Sequence, residues 1–146
     1  MMQSREQQVW ADDVAVGTAL PALVKEPTPV QLFRFSAVTW NPHRIHFDQA
    51  YAQTEGYEQV LVQSHLHGAF LIQAVMDWAG PQARLLTFRW QNRYLSMPGD
   101  VLTVSGAVTE MDDDVATIEL REENQDGRLC APGWACVRLP RRGDPT

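Results

Sequence analysis

The chain has 146 residues, of which 45% are hydrophobic and 21% charged, and its formal net charge is -6. This is ordinary globular composition with apolar material for one core, so a wholly disordered chain and a second independent core are both excluded. The acidic balance repels phosphate backbones and argues against nucleic acid, no apolar run reaches a bilayer span, and the opening residues lack the apolar stretch of a secretory leader.

The expected layout is a single domain over residues 1–146, with its core from about 14 to 140 and frayed polar ends at 1–8 and 141–146. Val14 to Val24 reads as an irregular opening with a turn at Gly17. Thr28-Pro29 is a helix start, a hydroxyl N-cap followed by proline at the first helical position. That helix should end near Trp40, because Asn41 precedes Pro42 and is pushed out of the α region. Residues 41–62 form a long structured connection, with a short helix around Gln49–Gln53 capped by Asp48. From Gln63 to Ala79 the apolar side chains point in every direction, which marks a central helix enclosed by other elements and stopped by Gly80-Pro81.

The remainder alternates with period two. Leu86, Phe88, Trp90 and Tyr94 share one face; Leu102, Val104 and Val108 the next; Ala116, Ile118 and Leu120 the third. Asp112-Asp113-Asp114 is a turn, Asp126-Gly127 a hairpin, and Pro132-Gly133 the expected bulge in the last strand, Leu129 to Leu139. The expected architecture is α+β: a four-strand antiparallel meander wrapped around one long buried helix. Cys130 and Cys136 would lie about 20 Å apart on one strand, beyond the roughly 7 Å a disulfide tolerates. A reducing cytoplasm is the expected compartment.

The polar residues that can carry chemistry are concentrated in two stretches, Asn41-Pro42-His43-Arg44-Ile45-His46-Phe47-Asp48 and Gln63-Ser64-His65, with His67 just beyond. All four histidines lie there. Histidine titrates near neutrality and suits a general base. Free N–H groups at a helix start suit a developing oxyanion. From the residues alone, His46 satisfies a loop carbonyl, Asn41 ends a helix, His43 is loop surface and Arg44 pairs with Asp48. His65 and His67, two apart, do not share a helix face, so at most one is expected to point into the site. H-x-x-H with H-x-H lacks a zinc ligand frame, so no metal is expected.

The order of a helix, the N-P-H-R-I-H-F-D loop, the V-Q-S-H-L helix start and the F-R-W-Q-N-R…M-P-G-D strand pair resembles the MaoC-like hot-dog hydratases and dehydratases over roughly residues 28–139. The loop is most similar to the subgroup of mesaconyl-CoA hydratase-like proteins, N-x-H-x-I-H-[YF]-D. The resemblance implies a hot-dog fold and interconversion of 2-enoyl and 3-hydroxyacyl thioesters, carried by coenzyme A or acyl carrier protein and needing no other cofactor. It implies His46 as general acid/base and Asn41 beside it, at the position where the wider family has aspartate. Gln63, Ser64, His65, His43 and Arg44 become the substrate-binding candidates. Such domains resemble obligate dimers whose sheets join, so a homodimer or a heteromeric hot-dog partner is implied. Two departures stand out: a carboxamide does not titrate, and Ser64 carries a Cβ where the family has glycine. They support an alternative, a non-catalytic partner subunit of a heteromeric hydratase. A hot-dog thioesterase is third, since Gln63-Ser64-His65 offers no carboxylate.

Overall fold

The computed structural model describes residues 7–143. Its elements are β1 (Leu23–Lys25), α1 (Pro29–Thr39), α2 (Gln49–Thr54), α3 (Ser64–Ala79), β2 (Arg84–Trp90), β3 (Leu102–Asp112), β4 (Val115–Glu123) and β5 (Leu129–Arg138), with single 3-10 turns at Ala11–Asp13 and Arg44–His46. One antiparallel sheet has the order β1-β3-β4-β5-β2, and α3 lies across its concave face. This is the α+β hot-dog fold. Among the described residues no helix is long and apolar enough to cross a membrane.

The local signals act as their chemistry requires. Thr28 Oγ1 accepts the Gln31 N–H and Pro29 opens α1. Trp40 closes α1 in the left-handed region, at φ 55°, and the N–H groups of Trp40 and Asn41 both turn back to the Ser36 carbonyl. Asp48 caps α2 by accepting the Tyr51 N–H. Asp126-Gly127 turns β4 into β5.

Expectations are corrected in four places. The sheet has five strands, because Leu23–Lys25 pairs with Leu102–Val104 at the edge. The strands are not a simple meander, since β2 crosses to the far edge and pairs with β5. β2 ends at Trp90, so Tyr94 lies in the loop beyond it. The register slips between Leu85 and Thr87, which turns Leu86 outward (40% exposed) and brings Leu85 to the core side with Phe88 and Trp90. Third, pairing runs unbroken through Pro132-Gly133; the last strand's bulge is at Cys130, between Glu123↔Leu129 and Glu122↔Ala131.

Fourth, α3 is not enclosed on all sides within one chain. Leu66, His67, Phe70, Leu71, Ala74 and Val75 are buried against the sheet, whereas His65 and Ala69 are exposed and Ile72 and Met76 half-buried. Spaced i, i+4, i+7, i+11, these four form one stripe that the curled sheet does not reach.

Both ends are tied down where they are described. Gln8 hydrogen-bonds to the Ala79 carbonyl and the Gln82 N–H. Arg141 meets Asp113 and Asp12, and Arg142 meets Asp13. The expectation of fraying therefore fails at these residues; residues 1–6 and 144–146 lie outside the described range. Cys130 and Cys136 are free thiols on β5, and burial pushes the Cys130 thiol up.

Gly68 permits the contact between α3 and β2. A Cβ there would come within 2.9 Å of the Trp90 ring, whose indole N–H donates to the Ser64 carbonyl. Gly68→Ala should destabilise the fold by about 1–3 kcal/mol through overpacking, read as a lower urea midpoint with an unchanged slope.

Candidate active site

The site is assembled by three chain segments. Residues 41–48 leave the end of α1, and residues 61–62 approach α3 sandwiched between that loop and the loop after β2. The Leu61 N–H donates to the Ile45 carbonyl, and the Val62 N–H to the Ser96 carbonyl, both at 2.9 Å. Between them opens a cleft of about 550 Å³. Asn41, His43 and His46 line one side, Ser64, His65 and His67 the helix side, and Asn92 to Leu95 the rim, so both helix histidines border the cleft where at most one was expected.

His46 is half-buried. Its Nδ1 lies 2.8 Å from the Leu61 carbonyl oxygen, which can only accept, so Nδ1 carries a proton and donates. In the neutral ring Nε2 is therefore the basic nitrogen. Burial lowers the His46 pKa below its ordinary value; the Leu61 bond opposes that shift and His43, with ring centroids 5.9 Å apart, adds to it. The carbonyl bond expected from the residues alone is thus the device that selects the tautomer.

Asn41 Oδ1 accepts the His43 N–H at 3.2 Å, and its amide NH2 has no partner among the described residues. His43 uses Nδ1 to cap the turn at Ile45. At the other wall, the first N–H groups of α3, on Ser64 and His65, have no acceptor among the described residues, whereas those of Leu66 and His67 return to the Gln63 carbonyl.

Two of the substrate-binding candidates lie elsewhere. Gln63 is fully buried outside the cleft and donates to the Leu32 carbonyl (2.7 Å) and Ser36 Oγ (2.9 Å). Arg44 forms the expected i,i+4 pair with Asp48 and covers the Tyr51 ring; its hydrogen bond holds the Asp48 carboxyl below the usual carboxylate range. Together with Tyr51 it borders a shallow neighbouring depression rather than the main cleft. Among the described residues, no group of three or more His, Cys, Asp or Glu side chains is arranged to hold a metal ion.

The structure adds residues that the motifs did not single out. Asn92, Arg93, Tyr94 and Leu95 form the rim, tied down by the Arg93 and Tyr94 N–H groups on the Cys130 carbonyl. His67 lies at the buried end, 1% exposed, with its Nδ1 bonded to Glu122 Oε1 of β4. Both were legible in the periodicity. His67 is in phase with Phe70, Leu71 and Ala74, and Glu122 continues the inward run of Ala116, Ile118 and Leu120.

Residues 12–96 match the family model of hydroxyacyl-thioester dehydratase type 2. The chain belongs to this family, whose members are MaoC-like hot-dog hydratases and dehydratases of acyl thioesters. A stretch of 48 residues is 50% identical to the mesaconyl-C(4)-CoA hydratase of Chloroflexus aurantiacus, covering 32% of this chain but only 17% of that protein. The chain is also 26% identical, over 77% of its length and 87% of the relative, to the 3-oxo-4,17-pregnadiene-20-carboxyl-CoA hydratase beta subunit of Mycobacterium tuberculosis. Among solved structures, the (R)-hydratase of Aeromonas caviae superposes with a TM-score of 0.80 at 25% identity, covering 88% of this chain and 98% of that one.

The His46 shift has a definite sign. A histidine held neutral by the fold binds its proton more weakly there than in the unfolded chain, so stability falls as the pH drops below about 6.5 and is unaffected above it. Imidazole NMR should place the His46 midpoint below 6.5, and His46→Gln should flatten this acid loss of stability.

Proposed function

We propose that this chain adds water to a 2-enoyl thioester and removes it from the corresponding 3-hydroxyacyl thioester. The observation that carries the reading is the pairing, in one cleft, of His46 with its Nε2 free and two unbonded N–H groups at the start of a 16-residue helix. The thioester oxygen docks on the Ser64 and His65 N–H groups. Water, positioned by the Asn41 amide, gives a proton to His46 Nε2 as its oxygen bonds to C3. The C2=C3 pair moves to make an enolate, whose charge rests on the thioester oxygen. The enolate then takes the proton back from His46 at C2. The sum is H and OH across the double bond, with no redox cofactor required. The carrier is coenzyme A or acyl carrier protein. Arg93, at the exposed rim and without an ion-pair partner among the described residues, is available to meet its anionic groups. Free cysteines suit a reducing compartment, and we place the protein in the cytoplasm.

In the second reading, the chain completes a heteromeric hydratase without catalysing. The non-titrating Asn41, the Cβ at Ser64 and the likeness to a protein named as a beta subunit favour it. Both readings require a partner chain, of the same or another hot-dog sequence. Val30, Phe33, Val38 and Trp40 are all more than half exposed, with Trp40 at 88%, the α3 stripe is open, and the β2 edge is unpaired. Exposed apolar side chains and an unpaired strand edge are features that a partner chain would cover. A thioesterase reading has no support in the cleft, which no carboxylate lines.

Two variants test the chemistry on a panel of enoyl-CoA esters. His46→Ala should lower kcat by about 10²–10⁴ while circular dichroism stays native. Ser64→Pro removes one N–H donor at the first helical position, where proline is tolerated and Gln63 already has extended backbone. It should lower kcat about 10²–10³-fold with the helix intact. Full activity in either folded variant would refute the mechanism.

The partner requirement has its own measurement. Sedimentation at micromolar concentration should show a dimer or larger assembly. A stable 16.5 kDa monomer that is active alone would contradict it.

A further inference from the structure

We propose that the buried pair His67–Glu122 reads the far end of the acyl group, and that it selects acyl chains bearing a neutral hydrogen-bonding group, such as a hydroxyl, over plain hydrocarbon chains. This rests on the reading of the cleft as an acyl-thioester site. If the thioester oxygen docks at the start of α3, the charged carrier stays at the exposed rim of Asn92, Arg93 and Tyr94. The acyl group then points to the buried end, where Leu61, Val62 and His67 form the lining.

That end is not hydrocarbon. His67 is 1% and Glu122 0% exposed, and they are joined through Nδ1 and Oε1. Glu122 Oε2 has no hydrogen-bond partner among the described residues. His67 Nε2 has none among the described residues, and its ring lines the cleft. Elsewhere in the core the buried Ser96 hydroxyl donates to the Cys130 thiol. Burying an imidazole and a carboxyl with unused capacity is costly in a site that takes only alkyl chains. The cost is recovered when the ligand supplies the missing partner.

The pair's charge decides which partner suits it. The hydrogen bond between Nδ1 and Oε1 holds one proton. With a second proton on Nε2 the pair is neutral; without it the pair is anionic. Neither state gives a carboxylate a net countercharge. A hydroxyl is served in both, accepting from Nε2–H or donating to bare Nε2. A methyl group in the same place leaves the ring unpaired, and sites built around hydrogen bonds reject such isosteres more strongly than apolar pockets reject polar ones.

The test uses isosteric pairs of enoyl-CoA esters in two lengths: 4-hydroxybut-2-enoyl against pent-2-enoyl, and 6-hydroxyhex-2-enoyl against hept-2-enoyl, with pent-2-enedioyl-CoA as an anionic arm. Calorimetry on His46→Ala gives Kd without turnover, and kcat/KM is measured on the unaltered protein. The hydroxylated member should be preferred about tenfold or more at one of the two lengths. His67→Leu with Glu122→Leu, made together so that neither group is left unpaired, should abolish or reverse the preference. If that variant does not fold, His67→Gln, which keeps a bond to Glu122 and withdraws the ring, should weaken it. Equal or reversed preference in the unaltered protein overturns the proposal, as does a preference that survives the substitutions. Tightest binding of the anionic ester overturns the choice of a neutral group. No binding of any thioester refutes the acyl-thioester reading itself, a result distinct from binding without discrimination.

Discussion

The cleft depends on one buried side chain that does not enter it. Gln63 stands just before α3, and its amide donates to the Leu32 carbonyl and to Ser36 Oγ on α1. Ser36 also accepts, through its carbonyl, the N–H groups that terminate α1 at Trp40 and Asn41. A single residue thus locks the launch point of the 41–48 loop to the launch point of α3. Both walls of the site are positioned by this link. A buried amide is expensive unless paired, so the link holds only while α1 stays docked.

The same logic explains why the loop carries its histidine at a defined angle. Arg44, Asp48 and Tyr51 form an exposed brace of ion pair, cap and ring contact. Exposed pairs contribute little stability, but here the brace spans one 3-10 turn, Arg44–His46, and one short helix, and the 3-10 turn itself carries His46 at its end. Leu61 supplies the acceptor that selects the tautomer, and Leu61 is itself held by the Ile45 carbonyl. A general base needs this kind of second hydrogen bond, because a ring free to flip would offer the wrong nitrogen half the time.

Much of this was readable in the sequence, and the failures have physical causes. Thr28-Pro29, Asp48 and Asp126-Gly127 act within a few residues, so their caps and turns follow from local chemistry. Leu23–Lys25 has no alternation of its own and becomes a strand only because β3 lies beside it. The slip at Leu86 and the bulge at Cys130 depend on partner strands as well. Of the motif residues, Asn41, His43, His46, Ser64 and His65 line one cleft while Gln63 and Arg44 lie outside it, because a motif records proximity in the chain and not the direction of a side chain. Glu122 was hidden by its type. A glutamate among Glu119, Arg121 and Glu123 reads as surface, although its phase places it with Ile118 and Leu120.

The substitution at position 41 bears on how many proton-transferring groups the proposed reaction needs. Hydration moves one proton off water and one onto C2, so a single imidazole returns to its starting state if it handles both. A carboxylate partner would add basicity but is not needed for balance. In that proposal, an amide that held the water without competing for its proton would leave the proton transfers at C2 and C3 to His46. The burial that lowers its pKa then keeps Nε2 bare at neutral pH, ready to accept. The return step benefits equally, since a weakly held proton is readily given to the enolate. In the proposed reaction the Leu61 carbonyl would take over the orienting part of a carboxylate's work, and the charge-stabilising part would fall to the helix start across the cleft.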